Sequence, residues 1–236
     1  MPLDLADYET KSCSAVKMFW SSRKKSGTGR LAGGNMTVFV DLIADIVYAN
    51  GLINAQIIQK SKLAVLPGHF CPTQSWDLLV MNKGKLIAAI KFDAHVGPSF
   101  GKNADSCCDR AISLAVDFQA VFRRGTFGEC IKPFVGYLCL LEDSPASRAP
   151  IKNILPNFSL VPEYRNASYA DRYNIFCKKL IMDGLYTAAA VICTPRSASK
   201  SGEYSEMSDM TGLQSFIATL AGHVSAKATP LGKQSR

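Results

Sequence analysis

Two apolar runs separated by a three-residue turn constrain this chain more than anything else in it. Ser75–Met81 and Lys85–Asp93 have the length of strands, and Asn82-Lys83-Gly84 joins them. A turn of this kind between apolar runs predicts a β-hairpin. Phe134–Leu141 and Ala188–Cys193 are two more continuous apolar runs. A strand that is apolar along its whole length is covered on both faces. The covering helices are predicted over residues 3–20, over residues 36–50 behind an Asn35 cap, and from about Ala104 to Arg124. Two more are predicted, from a Ser168 cap through Met182 and over Thr211–Ala226. The expected fold is therefore α/β, a mixed β-sheet flanked by helices on both faces, in one domain over residues 1–236. Residues 21–34 read as a basic Gly/Ser-rich loop, 143–167 as a long polar loop, 196–208 as a shorter one, and 227–236 as a frayed tail.

The hairpin also carries the charges that matter. Asp77 opens its first strand, and Lys91 and Asp93 close its second. Alternation puts residues 91 and 93 on one face, ~7 Å apart along the strand. Pairing across the turn then brings Asp77 opposite them. Charges beside buried runs are costly unless they are paired or metal-bound. Two carboxylates suit a hard cation such as Mg²⁺, and a lysine beside them can stabilise charge developing on a phosphate. Ordinary strand-end residues facing solvent would show the same spacing.

The 236 residues carry 27 Lys+Arg against 19 Asp+Glu, a net charge of +8. A compact basic domain suits an anionic partner such as nucleic acid, although charge for solubility gives the same composition. Other chemistries lack their signatures. No Gly-x-x-x-x-Gly-Lys-Ser/Thr loop, dinucleotide-binding glycine triplet or His-Glu-x-x-His is present, and His69, His95 and His223 lie far apart. The N-terminal MPLDLADYETK is no secretory signal, and no apolar window is long enough to span a bilayer. The eight cysteines form no Cys-x-x-Cys, which reads most simply as reduced thiols in a cytoplasm.

Three longer stretches point further: LPGHFCPTQSWDLLV (66–80), KLIAAIKFDAHVGPSFG (85–101) and ASYADRYNIFCKKLIMDGLY (167–186). In them the chain resembles the XhoI family of type II restriction endonucleases, within the PD-(D/E)XK nuclease superfamily. The resemblance runs from LDLADY near the start to FIATLAGHVSA near the end. It implies a homodimer that cuts a short palindromic site in double-stranded DNA with Mg²⁺, partnered genetically by a DNA methyltransferase. Asp77 falls on the family's first catalytic Asp. The catalytic set is then Asp77, Asp93 and Lys91, with Asp77 and Asp93 as metal ligands.

The second half of the motif departs from the family, which has Glu-x-Lys where this chain has Lys91-Phe92-Asp93. One reading is a swap that keeps both groups on one face. The other is decay, in which Lys91 repels the cation and the enzyme is silent. Ser106, Cys107, Cys108 and Cys71 also depart from residues common among relatives. Asp41 or Asp45 is a candidate extra metal acid, and a solvated helix face explains both equally well. The loop His95-Val96-Gly97-Pro98-Ser99-Phe100-Gly101-Lys102-Asn103 matches the family closely, which makes His95, Ser99, Lys102 and Asn103 candidate DNA contacts. Arg23, Lys24, Lys25 and Arg30 are candidates in the basic loop.

Overall fold

The computed structural model describes residues 3–5, 7–26, 34–59, 63–128, 131–153 and 155–228. The side chains of residues 24–26, 34, 35, 102 and 103 lie outside the description.

In chain order the elements begin with α1 (Tyr8–Ser26), a 3₁₀ turn (Gly34–Phe39) and α2 (Val40–Ala49). Strands β1 (Gln56–Gln59), β2 (Val65–Pro67), β3 (Thr73–Ser75), β4 (Leu78–Asn82) and β5 (Lys85–His95) follow. Then come α3 (Phe100–Arg123), β6 (Phe134–Glu142), α4 (Pro145–Arg148), α5 (Tyr169–Met182) and β7 (Ala188–Thr194). The chain continues through α6 (Ala198–Ser201) and β8 (Ser205–Glu206) to α7 (Leu213–Ala228). A six-stranded sheet has the order β1-β4-β5-β6-β7-β8, and β2 and β3 form a separate hairpin. β5, β6 and β7 run parallel, while β1, β4 and β8 are antiparallel to their neighbours. This is the expected mixed α/β sheet.

Period-2 alternation divides the sheet between two cores. Ile90, Phe92, Leu138, Leu140, Ala190 and Ile192 face α1, α2 and α7. Ala89, Tyr137, Cys139, Leu141, Val191 and Cys193 face α3 and α5. All nine residues of β6 and all seven of β7 are buried, because helices cover both faces. The hairpin forms as expected, with Leu78 opposite Ile90 and Lys83 and Gly84 both at positive φ in its turn. Ser168 caps α5 in a reciprocal capping box with Asp171.

Several boundaries differ from the expectation. Residues 21–26 are not loop: α1 runs on through Ser26, and the Arg23 guanidinium lies 5.3 Å over the Phe19 ring, which shields that turn. Ser75 belongs to the small hairpin, so Trp76 and Asp77 lie between two sheets. α3 starts at Phe100, four residues earlier than expected, and takes Gly101 into its first turn. The segment at 34–39 is 3₁₀ before α2 begins. The polar stretches contain α4, α6 and β8. The expected tail over 227–236 lies largely outside the described residues, apart from Lys227 and Ala228, which still belong to α7.

Candidate active site and DNA-contact loop

The antiparallel register of β4 and β5 sets Asp77 beside the end of β5, where its backbone N–H donates to Ile90 O at 3.2 Å. On that strand Lys91, Asp93 and His95 alternate onto the face covered by α3, beside Tyr137, Cys139 and Leu141 of β6. The three predicted residues come together there. Lys91 Nζ donates to Asp77 Oδ2 and to Phe92 O at 3.0 Å, and it lies 3.9 Å from Asp93 Oδ1. The Phe92 backbone N–H donates to the same Asp77 oxygen at 3.0 Å. Both carboxylates are buried, Asp77 at 7% and Asp93 at 5% exposure.

A fourth charge joins from α3. Arg110 Nη2 lies 3.7 Å from Asp93 Oδ1 and donates to Cys107 Sγ at 3.2 Å, while its Nε donates to Ser106 O. Burial raises the Asp93 carboxyl from its ordinary value, and Lys91 and Arg110 pull against that shift. Asp93 Oδ2 and the Tyr137 hydroxyl are both buried with no well-formed hydrogen bond, although the phenol still favours the carboxylate form. Burial, with Asp93 nearby, pushes the Cys107 thiol up to about 11, so it stays protonated at neutral pH.

A resident divalent cation does not fit these groups as they stand. The ammonium of Lys91 bridges the two carboxylates, where a shared metal ion would have to sit. Lys91 and Arg110 already match the charges of Asp77 and Asp93. Among the described residues no cluster of three or more His, Cys, Asp or Glu side chains is arranged to hold a metal. Asp41 and Asp45 supply no missing acid. They sit on α2, which packs on the opposite face of the sheet, and Asp45 pairs with Lys11 at 2.5 Å.

The candidate DNA-contact residues separate. His95 is not a surface donor. It is 2% exposed, its Nδ1 lies 2.7 Å from the Tyr173 hydroxyl, and its Nε2 lies 3.2 Å from Cys107 Sγ. Its place on the inward face of β5 is what buries it. Ser99 is exposed at the head of α3 and makes no cap hydrogen bond. The side chains of Lys24, Lys25, Lys102 and Asn103, and all of Arg30, lie outside the described residues.

Sequence reasoning missed what holds the loop after β5. Glu142 ends β6, and its carboxylate accepts the Gly97 N–H at 2.9 Å. Arg196, just beyond β7, donates to both Glu142 oxygens at 2.7 and 3.0 Å and to Gly97 O at 3.3 Å. A Cβ on Gly97 would come within 2.9 Å of the Phe100 ring, so the glycine allows this close packing. Nothing local in the sequence pairs residues 97, 142 and 196. The cue was only a lone acid ending the apolar run of β6.

The sheet, its covering helices and this edge define a restriction-endonuclease-like fold. The XhoI restriction endonuclease family model matches residues 21–206, and the chain belongs to that family. It is 37% identical over 197 residues to the type II restriction enzyme XhoI of Xanthomonas vasicola, covering 78% of this chain and 79% of that one. It is 34% identical over 214 residues to the type II restriction enzyme BstVI of Geobacillus stearothermophilus, covering 88% and 95%. With the type II restriction enzyme AbrI of Azospirillum brasilense the identity is 42% over 171 residues, covering 67% and 77%. No solved structure matches. No helix among the described residues is long and apolar enough to cross a membrane.

Proposed function

We propose that this chain is a type II restriction endonuclease by fold and target. It recognises a short palindromic site in double-stranded DNA as a homodimer; a methyltransferase that protects the same site belongs with the cleaving reading below. The observation that carries this reading is the family match over 21–206, which spans the stretch holding Asp77, Lys91 and Asp93. The net charge of +8 supports an anionic target. Ser99, Lys102 and Asn103 of the α3 head, with Arg23, Lys24, Lys25 and Arg30, are the proposed phosphate and groove contacts.

The hydrolytic step is where this chain parts from the family order. In a Glu-x-Lys order, two carboxylates face the cation and the lysine faces the phosphate. Here Lys91 lies against the carboxylates, which favours a chain that keeps the family's DNA target while Mg²⁺-dependent cleavage is silent. A second reading, cleavage with Asp77 and Asp93 as the Mg²⁺ ligands and Lys91 as the catalytic cation, has one observation in its favour. Asp93 Oδ2 is a buried acceptor with no well-formed hydrogen bond.

Incubation of unmethylated plasmid with Mg²⁺ or Mn²⁺ tests both. The expected result is no discrete fragments from wild type, and discrete fragments from the double variant Lys91→Glu, Asp93→Lys. A wild type that cuts, and is abolished by Asp77→Ala and Asp93→Ala, establishes the second reading. A chain that retains no duplex DNA in a filter-binding assay contradicts the DNA reading itself.

A further inference from the structure

We propose that Lys91 and Arg110 act as built-in counter-ions that take the place of a divalent cation at the Asp77–Asp93 centre, so that DNA is accepted there without metal. The DNA half of this inference rests on the reading above.

Two carboxylates at a DNA-binding edge repel the phosphodiester backbone. A nuclease centre built from them needs a metal ion to remove that repulsion before DNA can settle. In this chain the balance comes from its own side-chain cations, Lys91 and Arg110. The four charged groups form one chain of ion pairs, Asp77–Lys91–Asp93–Arg110, with Lys91 between the two carboxylates and Arg110 3.7 Å from Asp93.

The two cations have different surroundings and so different tasks. The Lys91 side chain is 13% exposed and is enclosed by Asp77, Asp93 and the Phe92 carbonyl. Arg110 is 61% exposed. Its head is steered by Cys107 Sγ and Ser106 O, and Cys107 is itself held by His95, which Tyr173 holds in turn. That buried chain of contacts runs from the core to the guanidinium. A planar guanidinium with further N–H donors suits a phosphate oxygen, and held this way it loses little freedom on binding. Arg110 therefore meets the phosphate, and Lys91 keeps the centre neutral beneath it.

Two measurements test this, one of them without DNA. In thermal melting, wild type should show the same midpoint in EDTA, Mg²⁺ and Mn²⁺. Lys91→Glu, which sets three carboxylates against Arg110 alone, should melt lower in EDTA and recover with either ion. If Lys91→Glu does not fold in EDTA, Lys91→Gln carries the same comparison. A wild type that Mg²⁺ or Mn²⁺ stabilises would overturn the counter-ion assignment.

In filter binding to duplex DNA at matched ionic strength, wild-type affinity should be the same within about twofold in EDTA and in Ca²⁺. Lys91→Glu should bind about tenfold more weakly in EDTA and regain affinity with Ca²⁺. Arg110→Ala should weaken binding in both conditions and reduce the salt slope by about one counter-ion. Wild-type binding that requires Ca²⁺ overturns the inference. If the melting pattern holds but no duplex is bound, the DNA reading fails and the counter-ion role stands.

Discussion

Glu142 and Arg196 form a two-pronged ion pair at the ends of two parallel strands, and between them they hold both backbone polar groups of Gly97. Glu142 is buried and Arg196 is 61% exposed, so the pair is anchored on one side and wet on the other. It fixes the chain where β5 hands over to α3.

Arg196→Ala should therefore destabilise the fold by roughly 1–3 kcal/mol, because it takes the guanidinium away from the buried Glu142 carboxylate and leaves the Gly97 N–H to satisfy it. It should weaken DNA binding several-fold by loosening the loop. Arg196→Lys should rescue only in part, since a lysine cannot make the bidentate contact. Urea denaturation and filter binding on the same preparations separate the two effects. Unchanged DNA binding by the folded Arg196→Ala protein would contradict the positioning role.

The Lys91–Asp77 pair makes its own prediction. Both side chains are enclosed, so Lys91→Met should destabilise the fold by about 3 kcal/mol by stranding a buried carboxylate. Adding Asp77→Asn should recover part of that loss. A double-mutant cycle in urea measures the coupling, and additive single effects would refute it.

Asp117 of α3 is 1% exposed and accepts from two backbone N–H groups, that of His69, shared between both carboxylate oxygens, and that of Phe70. Its carboxylate thus organises the tip of the β2–β3 hairpin. Asp117→Ala should cost roughly 2 kcal/mol. It should also raise amide exchange at residues 69 and 70 while leaving β6 and β7 protected, which exchange mass spectrometry reads directly.

His223 of α7 has its pKa lowered to about 4, first by burial and then by Lys227. The unfolded chain titrates near the ordinary value of 6.5 and binds the proton first. Stability linked to this residue is thus fully present above about pH 6.5 and is lost as pH falls towards 4. A melting midpoint followed from pH 7 to 4.5 should decline, and His223→Leu should flatten that decline. An unchanged slope in the variant would exclude His223 as its source.

The sequence by itself determined the layers of this protein. Continuous apolar runs at 134–141 and 188–193 require cover on both faces, and the helix-period segments supply it. The turn at 82–84 sets the antiparallel pairing, and strand alternation then puts Lys91 and Asp93 on one face opposite Asp77. These are local rules of period and turn geometry, so they survive without knowledge of the rest of the chain. What tertiary structure decided is which neighbours those charges meet. The direction of the Lys91 ammonium, the arrival of Arg110 from α3, and the burial of His95 against Tyr173 and Cys107 depend on packing between elements distant in sequence. So does the Glu142–Arg196 hold on Gly97, whose partners are 45 to 99 residues apart. Charge balance in a buried site is a property of three-dimensional neighbours, because Coulomb energy and desolvation follow distance in space and not position along the chain.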